Sequence, residues 1–437
     1  MRVSLSAGAS GLERRLEVAV PATEVAAEIE QRLKQISRTA RLKGFRPGKA
    51  PYAVIRKQFG EQVRSEVVSD LMRSSFAEAL SQEKLQPAAG PRIEPLAMPP
   101  DNDLRYAAVF EVLPEIQVKS PEGVDIERPG AEITEADVDA MIESMRRQRP
   151  TFTSVERAAA TTDRVTLDFE GRLDGKPFEG GDGRDVQVVI GSGQALAELE
   201  AGVTGAKAGD RKSIPVAFPA EHPNKDLAGR GAELDVTVKQ VEEQSLPAVD
   251  EEFCKAYGVE EGGLEALRAE VRKSMERELA GVVRNRLRVQ VMDALYRDNA
   301  IELPRALIDE QVQRLQVDMG RRMGARDVSQ LPPREQFEEP ARRRVALGLL
   351  MNQIVQNAGL KADRERVIAR LNDAVASYPN PDEARRAYLQ NAEAMQQIES
   401  AVLEEQVVDW VLERVRITDK PMSFKDLTGF GQSAPAG

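Results

Sequence analysis

The hydrophobic period changes along this chain, and that change constrains its fold more than any single motif. Across about residues 161–245, apolar side chains recur at every second position. Val165, Leu167 and Phe169 form one such run, and Ala232, Leu234, Val236 and Val238 another. A period of two puts these residues on one face of a strand, and it cannot serve a helix. From Leu246 onward the spacing turns to three and four, as in Val271, Met275, Leu279 and Val282, which is the helical period. One core cannot use both patterns over such lengths. With 437 residues, a length prior points to about three domains.

The N-terminal block mixes both patterns. Leu12, Leu16, Val18 and Val20 alternate as a strand, and a helix follows over about 23–43. Its apolar positions Val25, Ile29, Leu33, Ile36 and Ala40 share one face. Gly44 is a C-terminal stop, Pro51 can open the next helical stretch, and a further helix is expected over about 61–84. Strands near 92–96 and 103–112 complete a small α+β unit, with the Pro-rich stretch between them marking a hairpin. Residues 113–160 connect the blocks around one helix, about 135–148. In the middle block, Asp174-Gly175 is a hairpin dipeptide. Strands near 186–190 and 213–218 and a short helix near 195–203 fill the rest. One helix of about 264–299 then precedes shorter ones at about 304–323, 336–358, 363–377, 381–391 and 393–415. The expected fold is therefore multidomain α+β. Its expected pieces are an α+β domain over 1–115, linking material over 116–160, a mainly-β domain over 161–246, an all-α domain over 247–420, and a flexible tail over 421–437.

Several chemistries lack the residues they need. The chain has one cysteine, Cys254, and one histidine, His222, too few for a zinc site of several Cys and His ligands. A single cysteine makes no internal disulfide and suits a reducing cytosol. His222 sits in a Pro-rich loop with no nucleophile motif beside it. No Walker A sequence occurs. Gly191-Ser192-Gly193 follows a strand but lacks the third glycine of a dinucleotide fingerprint, so a plain turn is the simpler reading. No cofactor or metal is expected. No run approaches the ~18 apolar residues of a membrane span, and no secretory h-region opens the chain.

Charge is the other strong signal. The chain carries a net −11, yet residues 32–57 hold nine Lys and Arg and no acid. The run includes Arg32, Lys34, Arg38, Arg41, Lys43, Arg46 and Lys49. A basic element on an acidic protein is a footprint for polyanions, usually phosphate backbones, although basic runs are also solvated helix faces. Within it, Gly44-Phe45-Arg46-Pro47-Gly48-Lys49-Ala50-Pro51 makes a tight tip from two glycines and two prolines. A rigid tip loses little entropy on binding, and Phe45 with Arg46 offers an apolar anchor and a forked donor. The alternative for Phe45 is to fold back on the helices.

The loop sequence G-F-R-P-G-K-A-P closely resembles the ribosome-docking signature of the trigger factor family, bacterial nascent-chain chaperones. The resemblance extends to K-L-Q-P-A-A-G at 84–90, F-E-V-L-P-E-I at 110–116, F-E-G-G at 178–181 and L-R-A-E-V-R-K-S-M-E-R-E-L at 267–279. It implies an ATP-independent, cytoplasmic chaperone that holds nascent and unfolded polypeptides at the large ribosomal subunit's exit. It also implies contacts there with a ribosomal protein and rRNA, and a possible homodimer off the ribosome. Phe45 and Arg46 become the central contacts, flanked by Arg41, Lys43, Gly44, Pro47, Gly48, Lys49 and Pro51. Pro47 stands where some relatives have lysine, so Lys43 and Lys49 are the substitute cations. The resemblance also places residues 113–149 back against the helical body.

The middle domain resembles FKBP-type peptidyl-prolyl isomerases, whose apolar pocket holds an X–Pro bond. Phe169, Phe178, Glu179 and Phe218 match that pocket, and Leu196, Leu199, His222 and Leu234 occupy further positions of it. Leu199 replaces an aromatic wall, His222 a usual tyrosine and Leu234 a usual phenylalanine, which predicts a weakened isomerase. The plainer reading makes the remaining phenylalanines barrel core. The helical region resembles the family's body and arms that cradle unfolded chains. Met319, Met323, Leu349, Leu350, Met351, Ile354 and Val355 are its candidate lining, with interhelical core as their other possible place. Three alternative functions follow from these features. They are a dedicated prolyl isomerase with substrate-recruiting helical arms, a periplasmic chaperone–isomerase, and an RNA-binding protein without chaperone work.

Overall fold

The computed structural model describes residues 1–8, 10–40, 42, 45, 51–96, 103–173, 175–218, 227–324, 327 and 330–430. It divides into two compact units. One holds Met1–Arg128 and Asn285–Asp419; the other holds Pro129–Arg284 and the chain from Lys420 on.

The first unit begins with strands β1 (Arg2–Ala7) and β2 (Glu13–Val20). Helices α1 (Ala22–Thr39) and α2 (Tyr52–Glu83) follow, then strands β3 (Arg92–Pro95) and β4 (Leu104–Glu111). The four strands form an antiparallel sheet in the order β1-β2-β4-β3. Alternation decides which face is covered. Leu16, Val18 and Val20 pack with Tyr106, Ala108 and Phe110, and Phe76 of α2 meets Phe110 edge-on at 5.4 Å. The face predicted for α1 is buried against α2, where Leu33 meets Ile55, Val63 and Val67. Residues 52–83 form one helix rather than two. Gly60 does not interrupt it, because an interior glycine costs only about 1 kcal/mol. Beyond β4, Asn299 accepts a hydrogen bond from the Lys119 N–H (2.8 Å), and the Gln290 amide pairs with the backbone of Glu127.

Next come β5 (Asp125–Gly130), α3 (Glu135–Arg147) and β6 (Thr151–Ser154), all within the stretch expected as a linker. A capping box between Thr134 and Asp137 starts α3. The β-rich region contains β7 (Arg164–Leu173), β8 (Lys176–Val189), α4 (Ala197–Val203), β9 (Arg211–Ala217) and β10 (Gly231–Ser245). Strand β10 pairs with β7 along one edge and with both β9 and β6 along the other. The sheet's inward residues, among them Val165, Leu167, Val188, Ile214 and Val236, pack with Leu199 and Val203 of α4. Because β6 joins this sheet, the β domain starts near 151, not 161.

The remaining elements are α5 (Glu251–Ala256), α6 (Gly263–Asp298), α7 (Arg305–Arg322), α8 (Glu335–Ala358), α9 (Arg364–Val375), α10 (Pro381–Gln390), α11 (Ala392–Leu412), β11 (Arg416–Pro421) and α12 (Phe424–Thr428). At 1.5 Å per residue α6 is about 54 Å long. In the second unit its first half packs with α3, α5 and α12, where Val138, Phe253, Leu267, Met275 and Phe424 form one core. The expected flexible tail is thus corrected for residues 421–430: Phe424 is buried there and meets Phe430. Residues 247–284 fall in the second unit and the later helices up to Asp419 in the first. In the first unit α7 and α8 pack through Ile308, Val312, Phe337 and Ala341. There α9, α10 and α11 share Val367, Leu371, Ile398 and Val402. Among the described residues no helix is long and apolar enough to cross a membrane.

Candidate functional site

The strand pleat carries Phe169 inward on β7, beside Leu167 and Val165. Phe178 enters from β8, Phe218 from the end of β9, Leu234 from β10, and Leu196 and Leu199 from the start of α4. All six join the same apolar cluster. Leu199 and Leu234 are buried as its floor, whereas Phe169, Phe178, Leu196 and Phe218 are half-buried at its rim. Phe178 and Phe218 meet edge to face, with centroids 6.1 Å apart and planes at 88°, the arrangement the ring quadrupole favours. His222 lies outside the described residues, and so does the side chain of Glu179.

Three glycines cut the seats for these rings, and of them only Gly181 belongs to a motif singled out in the sequence. A Cβ on Gly171 would lie 2.8 Å from Phe178 Cε1, and one on Gly181 would lie 2.9 Å from the same ring. Phe178 therefore lies in a slot between two strands, at a closeness only glycine permits. A Cβ on Gly183 would lie 2.5 Å from Phe169. Recurrent glycine at 171, 181 and 183 on paired strands was the available signal.

Ion pairs brace the sheet around this apolar cluster. Asp163, only 2% exposed, accepts two bonds from the Arg157 guanidinium (2.5 and 2.9 Å) and one from the Ala160 N–H (2.8 Å). Burial pushes its carboxyl up, but Arg157 and that N–H outweigh burial and hold it below the usual carboxylate range. Glu242 is held low by Arg164, whose guanidinium forks onto it at 2.7 and 2.9 Å. Among the described residues these charged groups do not belong to the apolar cluster. The outer face of the sheet carries a charged groove of about 580 Å³, lined by residues such as Asp168, Glu170, Arg184 and Arg211.

The basic element is only partly described. Phe45 is 40% exposed, and its N–H donates to the Leu42 carbonyl at 3.1 Å. Pro51 accepts from the N–H groups of Val54 and Ile55 and so starts α2. Arg41, Lys43, Gly44, Arg46, Pro47, Gly48 and Lys49 lie outside the described residues. Two cations of the run are already paired: Arg32 with Asp70 of α2 at 2.9 Å, and Lys34 with Glu30 at 2.6 Å. The run's free charge is smaller than its nine cations imply, because Asp70 is distant in sequence and adjacent in space.

The candidate cradle residues separate by exposure. Met323 is 68% exposed and Met319 is exposed at the end of α7. Leu349, Met351 and Val355 are half-buried on α8. Met351 and Val355 line a cleft of about 740 Å³ with Ala401, Leu403 and Val407 of α11. Leu350 and Ile354 are corrected to core, since both are fully buried. They sit one position from the cleft residues, so a single helical stripe straddles both environments.

Comparison with known proteins agrees with this layout. The family model for bacterial trigger factor protein matches residues 1–145, and that for the trigger factor C-terminus matches 263–413. The model for FKBP-type peptidyl-prolyl cis-trans isomerase matches 155–239. The trigger factor of Thioalkalivibrio sulfidiphilus is 43% identical over 427 residues, covering 98% of each chain. That of Alkalilimnicola ehrlichii is 44% identical over 430 residues, covering 98% of this chain and 95% of its own. A solved structure of a trigger factor chaperone matches 94% of this chain and 99% of its own, with a TM-score of 0.50 and 19% identity, and so shares the fold. The two flanking matches leave a dedicated isomerase unfavoured. The chain belongs to the trigger factor family, ribosome-associated chaperones that carry an FKBP-type peptidyl-prolyl isomerase domain.

Proposed function

We propose that the β domain of this chaperone, about residues 151–245, is a working prolyl isomerase despite its replaced aromatics. The observation that carries this is Phe178, seated in a glycine slot and set edge-on to Phe218 above a buried leucine floor. Rotation about an X–Pro bond meets a barrier of ~18–20 kcal/mol because the planar amide is stabilised by resonance. The planar form separates more charge than the twisted one. A water-poor apolar recess therefore favours the twisted amide over the planar one, and that difference is the catalysis. No acid, base or metal is required. Isomerisation of a prolyl tetrapeptide by the full chain tests this. We expect a rate above the uncatalysed control that falls about tenfold in Phe178→Ala. A wild-type rate equal to the control contradicts it.

Around that activity, residues 41–51 dock the chain on the large subunit in the cytoplasm. Phe45 fills an apolar recess on a ribosomal protein, and Arg46 with its neighbouring cations meets rRNA phosphates. Clients rest without ATP on the exposed methionines at the end of α7 and in the cleft between α8 and α11, whose polarisable side chains adapt to irregular surfaces. Off the ribosome the same apolar surfaces support a homodimer, which analytical ultracentrifugation of the free chain reads directly.

A further inference from the structure

Gly191-Ser192-Gly193 shares two glycines with a phosphate loop but reads more simply as a plain turn. In the structure it already holds an anion of its own. Gly191 and Gly193 both take positive φ, +85° and +71°, and this alternation turns successive N–H groups to one side as a nest. The Glu200 carboxylate sits there. It accepts from the N–H of Gly191 at 2.8 Å, of Gly193 at 3.0 Å and of Ala195 at 3.3 Å. Its residue is only 7% exposed. Gly191 and Gly193 are exposed and Ala195 is half-buried, so it is the buried carboxylate that needs these amide donors, and meeting that need ties the turn to it.

What it fastens matters for the pocket. Ala195 leads directly into Leu196, which caps α4, and Leu199 precedes Glu200 on that helix. The Glu200 backbone is fixed at both ends as well: its N–H donates to the Leu196 carbonyl (3.0 Å), and its carbonyl accepts from the Thr204 hydroxyl (2.7 Å). The carboxylate thus ties the 191–195 turn to the start of α4, which bears Leu196 and Leu199. We propose that Glu200 is a positioning residue for the prolyl pocket, an internal anion that holds the 191–195 turn and thereby sets Leu196 and Leu199 against the bound proline. This rests on the isomerase reading above. It also means that the glycine turn is closed to phosphate in the native protein. With smaller leucines where an aromatic wall would brace itself, the floor depends on this tie for its rigidity, and a loosened floor weakens binding more than it slows rotation.

The test uses the full chain, with calorimetric titration of a blocked Ala-Leu-Pro-Phe peptide beside the isomerisation assay. In Glu200→Gln, the amide's own N–H groups face the nest donors. We expect peptide Kd and KM to rise about five- to tenfold while kcat stays within twofold. Gly193→Ala reaches the same turn without touching the carboxylate. Its Cβ meets open space, so only the φ is strained, and the same shift in KM is expected. It keeps the test valid if the Glu200 variant fails to fold. A folded Glu200→Gln protein with lowered melting temperature and wild-type Kd and KM overturns the proposal and reduces Glu200 to a structural tie. Wild-type binding without turnover overturns the isomerase reading alone, because the Kd comparison still decides the role of Glu200. No peptide binding by wild type overturns both.

Discussion

Gly171→Ala tests the glycine slot most sharply, because one methyl group should act through geometry alone. The added Cβ would lie 2.8 Å from Phe178 Cε1, 2.9 Å from the Gly181 carbonyl oxygen and 2.9 Å from Leu234 Cδ2. Carbon atoms prefer about 3.5–4.0 Å, so the ring contact falls roughly 0.7–1.2 Å short of that range. The Phe178 ring can swing away only by leaving its seat, and the Gly181 oxygen belongs to a neighbouring strand. Overpacking of this kind costs about 1–3 kcal/mol. The matching control is Gly231→Ala on β10, where the nearest atom to the new Cβ is the Val216 oxygen at 3.7 Å. There alanine should stabilise by about 0.4–1 kcal/mol through the unfolded chain. Hydrogen exchange on the full chain separates the two. Protection in β7 and β10 should fall about ten- to hundredfold in Gly171→Ala, with loss of prolyl-peptide binding, and hold or rise in Gly231→Ala. Wild-type exchange and binding in Gly171→Ala would refute the slot.

Three further outcomes follow from the same structure. Asp163 has a lowered carboxyl in the folded state, so its stabilisation is present above the unfolded value of about 3.9 and is lost as pH falls through the folded value. Asp163→Asn should cost the β domain about 1–3 kcal/mol at pH 7 and flatten the acid limb below pH about 4, read by denaturant titration at pH 7 and pH 3. An unchanged acid limb would count against the Arg157 pairing. Leu350→Ala, in a fully buried position, should destabilise the α7–α11 region by about 2–5 kcal/mol. Met323→Ser, at an exposed position, should leave stability within about 0.5 kcal/mol and weaken suppression of client aggregation. The reverse pattern would exchange their roles.

Much of this fold was legible because local periodicity and burial agree. The 4, 4 and 3 spacing of Val25, Ile29, Leu33 and Ile36 produced the face that α1 buries, and the alternation at Leu16, Val18 and Val20 produced that of β2. Short edge strands escaped notice for the same reason in reverse. β11 is exposed at every position and β5 contains Pro129, so neither carries an apolar rhythm. α12 was hidden because two aromatics, Phe424 and Phe430, anchor it without a repeat. The pocket's rings could be named from motif, whereas its supports could not. The Glu200 nest and the Arg32–Asp70 pair join residues whose proximity only the folded chain creates. Leu350 and Met351 show the limit of a helical stripe, since adjacent positions divide between core and cleft.

The loop that carries Phe45 and Arg46 is the proposed contact through which this chain works at the ribosome. Co-sedimentation with ribosomes, comparing wild type with the Phe45→Ala, Arg46→Ala double variant, tests it most directly. Wild type should pellet with ribosomes, less so as salt rises because phosphate neutralisation releases counterions. The double variant should remain in the supernatant while keeping wild-type circular dichroism and its ATP-free suppression of client aggregation. Equal pelleting of the two proteins would contradict the account.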